Sequence, residues 1–261
     1  MSLYELLRDA VRAEEPVALA TMVEGPHVGA NVLVRPGVEA IGTLGDADLD
    51  RVVVRDAMAE LAAGISTVRH YGFQGEARRQ DVAVFIESFA PPPQMIVFGA
   101  VDFTAALVKV AKVLGYRVTV CDARAVFATH QRFPQADEVV VDWPDRYLAK
   151  VGAELGPRDA VCVLTHDHKF DVPAILAALE TDVGYLGAMG SRRTHADRLT
   201  RLREADVDEV RLARVMAPIG IDIGARTPEE TAISICAEII ASRTGRPAPS
   251  LRASDGPIHP R

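Results

Sequence analysis

Apolar positions follow two different rhythms along this chain, and the change comes at Ala90-Pro91-Pro92-Pro93, where consecutive prolines lack backbone donors and stiffen an extended connection. Ahead of it, residues 17–23 and 30–34 read as strands separated by a Gly25-Pro26 turn. Leu49, Val53, Ala57 and Leu61 then recur at helical spacing between about 48 and 63, and residues 67–71 and 81–89 return to strand. This order predicts a small α+β domain over residues 1–90. Beyond the prolines, short apolar runs near 95–98, 118–121, 138–141, 160–164 and 183–187 alternate with helical segments. Alternation of that kind calls for a parallel sheet with helices on both faces. The fold class expected is therefore α/β: the α+β domain, a Rossmann-like domain over residues 94–244, and a Pro-, Ser- and Gly-rich tail over 245–261.

The first unit of the second rhythm carries the sharpest local signal. Met95-Ile96-Val97-Phe98 is an apolar strand, Gly99-Ala100 opens a turn, and Phe103, Ala106, Leu107, Val110 and Leu114 mark a helix that Gly115 closes. Val118-Thr119-Val120-Cys121 follows as a strand, and Asp122 falls roughly 20 residues after the glycine, where a dinucleotide fold places a carboxylate for ribose hydroxyls. The middle glycine of the phosphate turn, however, is replaced by the branched Val101, with Asp102 beside it. A carboxylate at a helix start repels a phosphate, so the pattern predicts a Rossmann-like scaffold without an ordinary NAD(P) site. The blander reading makes Gly99 a tight turn and Asp122 a strand-end residue.

Composition narrows the classes. The chain has 261 residues, 49% apolar and 25% charged, the profile of a soluble globular protein, and its net charge of −7 argues against a nucleic-acid surface. No polybasic run, membrane-length apolar stretch or cationic signal start is visible, which predicts a cytoplasmic protein without membrane contact. Cys121, Cys162 and Cys236 form no CxxC pair and read as buried thiols.

Ligands of open parallel sheets bind beyond the carboxyl ends of the strands, and three polar segments follow such ends. Thr165-His166-Asp167-His168-Lys169-Phe170-Asp171 offers imidazoles and carboxylates for a proton, a ring or a metal, or simply caps a helix starting near Asp171. In Gly184-Tyr185-Leu186-Gly187-Ala188-Met189-Gly190-Ser191-Arg192-Arg193-Thr194, two glycines allow close backbone approach, Ser191 caps the next helix, and Arg192 and Arg193 add cations beside helix N–H groups. That is a phosphate cradle with charges of the right sign, unless it is a capped helix with two solvated arginines. The third segment, residues 217–230, holds a capping box, Thr227-Pro228-Glu229-Glu230, behind Pro218, Gly220 and Gly224, which would hold Asp222 and Arg226 at a pocket rim.

Together, Arg132-Phe133-Pro134, Thr165-His166-Asp167-His168, Gly190-Ser191-Arg192-Arg193, Ala217-Pro218-Ile219-Gly220 and Thr227-Pro228-Glu229-Glu230 resemble the XdhC/CoxI family of xanthine dehydrogenase accessory proteins. The resemblance covers nearly the whole chain and is strongest over residues 94–243. It implies a homodimeric cofactor chaperone without catalysis of its own. Such a protein would bind molybdopterin-type molybdenum cofactor, support its sulfuration with a cysteine desulfurase, and deliver it to a xanthine dehydrogenase-type molybdenum hydroxylase. On this reading the cofactor-binding residues are Gly99, Asp122, His166, Asp167, Gly190, Ser191, Arg192, Arg193 and Asp222.

Two departures limit what carries over. Many relatives have Gly-Ala-Gly-His where this chain has Gly99-Ala100-Val101-Asp102, and many have Gly-Gly-Cys-Leu-Glu where it has Gly45-Asp46-Ala47-Asp48-Leu49-Asp50. The thiol of the second motif is gone; an acidic helix start explains what replaced it, and Cys121, beside Asp122 at a strand end, is no more than a speculative substitute. The alternatives are an NAD(P)-dependent oxidoreductase, against which stand Val101 and the lack of a Tyr-x-x-x-Lys pair, and a client-docking scaffold with a vestigial pocket.

Overall fold

The computed structural model describes residues 2–77, 79–165 and 167–253. The chain divides into two compact units, Met1–Pro91 and a second from Pro92 onward, so the proline run is the boundary.

The first unit contains helix α1 (Leu3–Arg12), strands β1 (Val17–Glu24), β2 (Asn31–Val34) and β3 (Ile41–Thr43), helix α2 (Ala47–Ala63), and strands β4 (Thr67–Tyr71) and β5 (Val82–Phe89). Its strands form an antiparallel sheet in the order β3-β2-β1-β5-β4. Leu49, Val53, Ala57 and Leu61 of α2 pack on one face with Ala18, Ala20, Val84 and Ile86. Asp46 caps α2 by accepting from the amides of Asp48 and Leu49, both at 3.0 Å, and Gly64 ends it in the left-handed region. The acidic stretch is therefore a helix start, as its sequence suggested. Helix α1 and β3 go beyond the sequence reading. Leu3, Leu6, Leu7 and Ala10 do lie at helical spacing behind a Ser2–Glu5 capping box, whereas β3 is short and fully exposed and has no pattern to find.

The second unit runs β6 (Gln94–Phe98), α3 (Asp102–Val113), β7 (Arg117–Cys121), β8 (Glu138–Val140), α4 (Pro144–Val151), β9 (Ala160–Val163), α5 (His168–Leu179), β10 (Tyr185–Ala188), α6 (Arg192–Glu204), α7 (Glu209–Leu212), β11 (Val215–Met216) and α8 (Pro228–Thr244). All six strands are parallel, in the order β11-β10-β9-β6-β7-β8. Renumbered from β6, that is the doubly wound order 3-2-1-4-5-6 of dinucleotide folds. The central strands are wholly apolar because both faces are covered. Met95 and Val97 enter a core with α3 and α8, while Ile96 and Phe98 enter another with α4 to α7. Helix α5 begins at His168, three residues before the expected start near Asp171, because Asp167 supplies its cap. Strand β11 is only two residues long and has no pattern in the sequence.

Hydrogen bonds continue past the strand ends and align the exits of the sheet. Asp122 N–H donates to the carbonyl of Val140, Gly99 to Cys121, Leu164 to Phe98, Met189 to Val163, and Ile219 to Ala188, at 2.8–3.1 Å. The polar segments singled out in the sequence thus leave one edge side by side. Among the described residues no helix is long and apolar enough to cross a membrane.

Candidate functional site

The strand order reverses between β6 and β9, whose following helices lie on opposite faces, and the crevice of such a fold opens there. Gly99, leaving β6, has φ +113, and a Cβ on it would stand 2.9 Å from Cγ2 of Thr165, leaving β9. Only glycine lets the two exits close on each other. The Ala100 amide donates to Asp122 Oδ2 at 2.8 Å, its carbonyl accepts from Arg132 Nη1 at 3.0 Å, and buried Thr104 donates to the Gly99 carbonyl. Arg124 grips the same Asp122 carboxylate through Nε at 2.9 Å and Nη2 at 2.7 Å. Burial alone would raise the Asp122 pKa, but Arg124 and the amides of Ala100 and Arg124 outweigh it and hold it below the usual carboxylate value. The carboxylate is thus committed to the turn and to Arg124. Val101 is the N-cap of α3 without any side-chain cap bond, and Asp102 occupies the first helical position, 91% exposed and 3.5 Å from Arg132.

The exit of β10 is built differently. Ser191 caps α6 by accepting from the Thr194 amide at 3.1 Å, as the sequence indicated, and Gly190 before it has φ +148. A Cβ on Gly190 would lie 3.2 Å from the Thr194 side chain and 3.6 Å from Arg198 Nη2. Arg192 and Arg193 are exposed and have no ion-pair partner among the described residues. Beneath the turn Arg198 is fully buried; its Nη2 donates to Asp171 Oδ2 at 3.0 Å and to the Met189 carbonyl at 2.8 Å. Asp171, also fully buried, accepts from the Thr165 hydroxyl. Arg198 Nε and Nη1 are buried without a hydrogen-bond partner among the described residues, as are Nδ1 of His168 and of His195. Burial and the Arg198 charge lower the His195 pKa. Sequence reading missed Arg198, although Leu199 and Leu202 beside it mark the inward side of α6.

The remaining candidates separate. Asp167 is exposed, caps α5 through the Lys169 amide at 3.1 Å and pairs with Lys169 Nζ at 3.1 Å. Asp222 is exposed in the loop after β11 and accepts from the Gly224 amide at 3.3 Å. His166 lies outside the described residues. The capping box at Thr227 and Glu230 is formed, and Glu230 also accepts from the Arg226 amide at 2.6 Å. All three cysteines are free and buried, and burial together with Asp142 pushes the Cys121 thiol up to about 12.

A doubly wound parallel sheet whose C-terminal edge carries glycine turns and helix starts defines a Rossmann-type domain. The chain belongs to the XdhC and CoxI family: the XdhC Rossmann domain matches residues 95–239, more than half the chain, and the XdhC and CoxI family matches residues 10–72. The motif resemblance is thereby established.

Relatives include the uncharacterized protein YqeB of Escherichia coli strain K12, 28% identical over 270 residues, covering 98% of this chain and 49% of that protein. A Bacillus subtilis strain 168 protein, named as a probable subunit of xanthine dehydrogenase, is 29% identical over 240 residues, covering 92% and 64%. The molybdenum cofactor insertion chaperone PaoD of Escherichia coli strain K12 is 36% identical over 99 residues, covering 38% and 31%. This chain therefore spans less than two thirds of the length of these curated relatives. A solved structure described as a xanthine dehydrogenase from Bacillus halodurans shares the fold, with a TM-score of 0.56 and 22% identity over 96% of this chain and 98% of the other.

Proposed function

We propose that this chain is an accessory protein that holds a molybdopterin-type molybdenum cofactor and serves a xanthine dehydrogenase-type hydroxylase. The observation that carries the reading is the β10–α6 turn. There a helix N-terminus and two exposed arginines, with a buried guanidinium that keeps two donors without partners among the described residues, meet at a glycine whose φ of +148 disfavours any side chain. That donor set suits the phosphate of a pterin cofactor. Residues 190–193 would hold the phosphate, Arg198 would add fixed positive charge from below, and Asp171 would keep Arg198 in place. The bound group supplies the molybdenum centre of the client, and the protein's part is to bind, orient and release it. Two relatives, named for xanthine dehydrogenase and for cofactor insertion, support the choice of ligand and client.

Sulfuration with a cysteine desulfurase and a homodimeric assembly belong to the same proposal. With all three thiols buried, the sulfur would be carried by the partner rather than by this chain. The test is anaerobic purification from cells making the cofactor, with molybdenum and oxidised-pterin fluorescence measured per chain. Near-stoichiometric pterin is expected, and Arg192→Ala with Arg193→Ala should lose most of it. Undiminished retention in the double variant removes the site; no pterin, with a loaded relative prepared alongside, removes the function.

The dinucleotide strand order keeps a nucleotide-dependent oxidoreductase as second reading. Calorimetric titration with NADH and NADPH separates the two, since tight binding with hydride turnover would favour the enzyme.

A further inference from the structure

Four side chains from three separate exits of the same sheet edge form an aromatic and cationic surface that the phosphate turn does not explain. Arg124 and Phe127 lie on the segment leaving β7, Trp143 ends the segment leaving β8, and Phe170 sits in the first turn of α5. The Arg124 guanidinium is 4.6 Å from the centroid of Phe127 and 5.9 Å from that of Phe170. Trp143 meets Phe170 at 5.0 Å and 46°, and Lys169 Nζ stands 4.8 Å above Phe170. Phe170 is buried and anchors the group, whereas Trp143 and Phe127 each leave 39% of their surface in water. Arg124 is itself fixed by two side-chain bonds to Asp122. A guanidinium pinned by a buried carboxylate beside half-exposed rings is a preorganised surface for a flat, electron-rich ring. Stacking and cation–π attraction both favour such a ligand, and neither depends on reading its hydrogen-bonding edge.

Its position relates it to the anion site. Phe170 of the platform and Asp171, which holds Arg198 under the phosphate turn, are consecutive residues of α5. We infer that Trp143, Phe127 and Arg124 form a stacking platform for the planar heterocycle of a phosphorylated cofactor. The inference rests on the proposed function only for naming that ring a pterin; an adenine ring offers the same chemistry.

Trp143 is the only tryptophan of the chain, so its emission reports directly on the platform. The experiment titrates the full-length protein with neopterin monophosphate and, separately, with AMP, exciting at the red edge of tryptophan absorption and using free N-acetyltryptophanamide to correct for absorption by the ligand. Saturable quenching is expected with at least one ligand. Phe127→Leu should weaken it about tenfold, and Trp143→Leu should weaken binding similarly by calorimetry; circular dichroism checks that both variants fold. Quenching by the pterin supports platform and cofactor reading together. Quenching by AMP alone keeps the platform and counts against the pterin assignment. Quenching by neither, or binding unaltered in both variants, overturns the platform, while pterin retention in the purified protein would still decide the proposed function independently.

Discussion

Replacing Arg198 by Met tests whether the buried guanidinium is a binding element or only an internal ion pair. The substitution takes the guanidinium, 3.0 Å away, from the fully buried Asp171 carboxylate, and loss of one partner from a buried pair costs about 3–5 kcal/mol. It also strips the Met189 carbonyl of a charged donor at 2.8 Å, worth roughly 1–3 kcal/mol. Against these losses, Nε and Nη1 no longer need to be buried without partners, which returns roughly 1–3 kcal/mol apiece. At mid-range values the losses exceed the gains by about 2 kcal/mol, a net destabilisation. Adding Asp171→Asn to Arg198→Met removes the buried carboxylate charge as well and should recover at least about 1 kcal/mol of it. Urea unfolding followed by Trp143 emission reads the second unit, in which that residue lies. Inorganic phosphate should raise the midpoint of the parent protein and leave that of Arg198→Met unchanged, because ligand that binds only the folded state stabilises it by mass action. A variant as stable as the parent, with phosphate shifting both equally, would refute the reasoning.

Other outcomes follow from single contacts. Gly99→Ala should cost on the order of 2–4 kcal/mol in the same unfolding assay, since φ +113 is strained for a side-chain-bearing residue and its Cβ would press on Thr165; a loss under ~0.5 kcal/mol would mean the two exits can part. Under native conditions none of the three thiols should react with a disulfide reagent within minutes, and all three should react in denaturant; rapid native modification of Cys121 would contradict its burial and its pKa of about 12. Asp122 has a folded pKa below its unfolded value, so its contribution is complete above roughly pH 4 and is lost as pH falls through the folded value. Asp122→Asn should therefore flatten the acid limb of the stability profile below about pH 4, and an unchanged limb would show that the Arg124 pair contributes nothing.

How much was legible in the sequence depended on whether a residue's neighbours in sequence were also its neighbours in space. The second-unit strands were visible because burial on both faces demands runs such as Met95-Ile96-Val97-Phe98, and the caps at Asp46, Ser191 and Thr227 were visible because capping is local. Arg198 was not. Helix α6 carries six other arginine, aspartate and glutamate side chains around its inward stripe, and a buried arginine looks like a solvated one until Asp171, 27 residues away, is known to face it. Asp167 shows the converse: its place after a strand suits a site residue and a helix cap alike, and the structure shows the cap.

The same distinction decides where the edge of the sheet can take an anion. Val101 removes the middle glycine of a phosphate turn, but the obstacle to an anion there lies deeper than a missing glycine. The Ala100 amide is already given to Asp122, the Ala100 carbonyl to Arg132, and Asp102 adds an exposed carboxylate at the helix start. A phosphate arriving there would have to displace internal bonds and meet like charge. At Gly190 the balance runs the other way, with two exposed arginines above the turn and two unpartnered guanidinium donors below it. A turn whose polar groups are satisfied from within is structural; one set over a buried, incompletely partnered guanidinium keeps a positive field for an anion. That contrast is why the proposed phosphate site is put at β10–α6 rather than at the glycine turn where the sequence pattern of a dinucleotide fold first points.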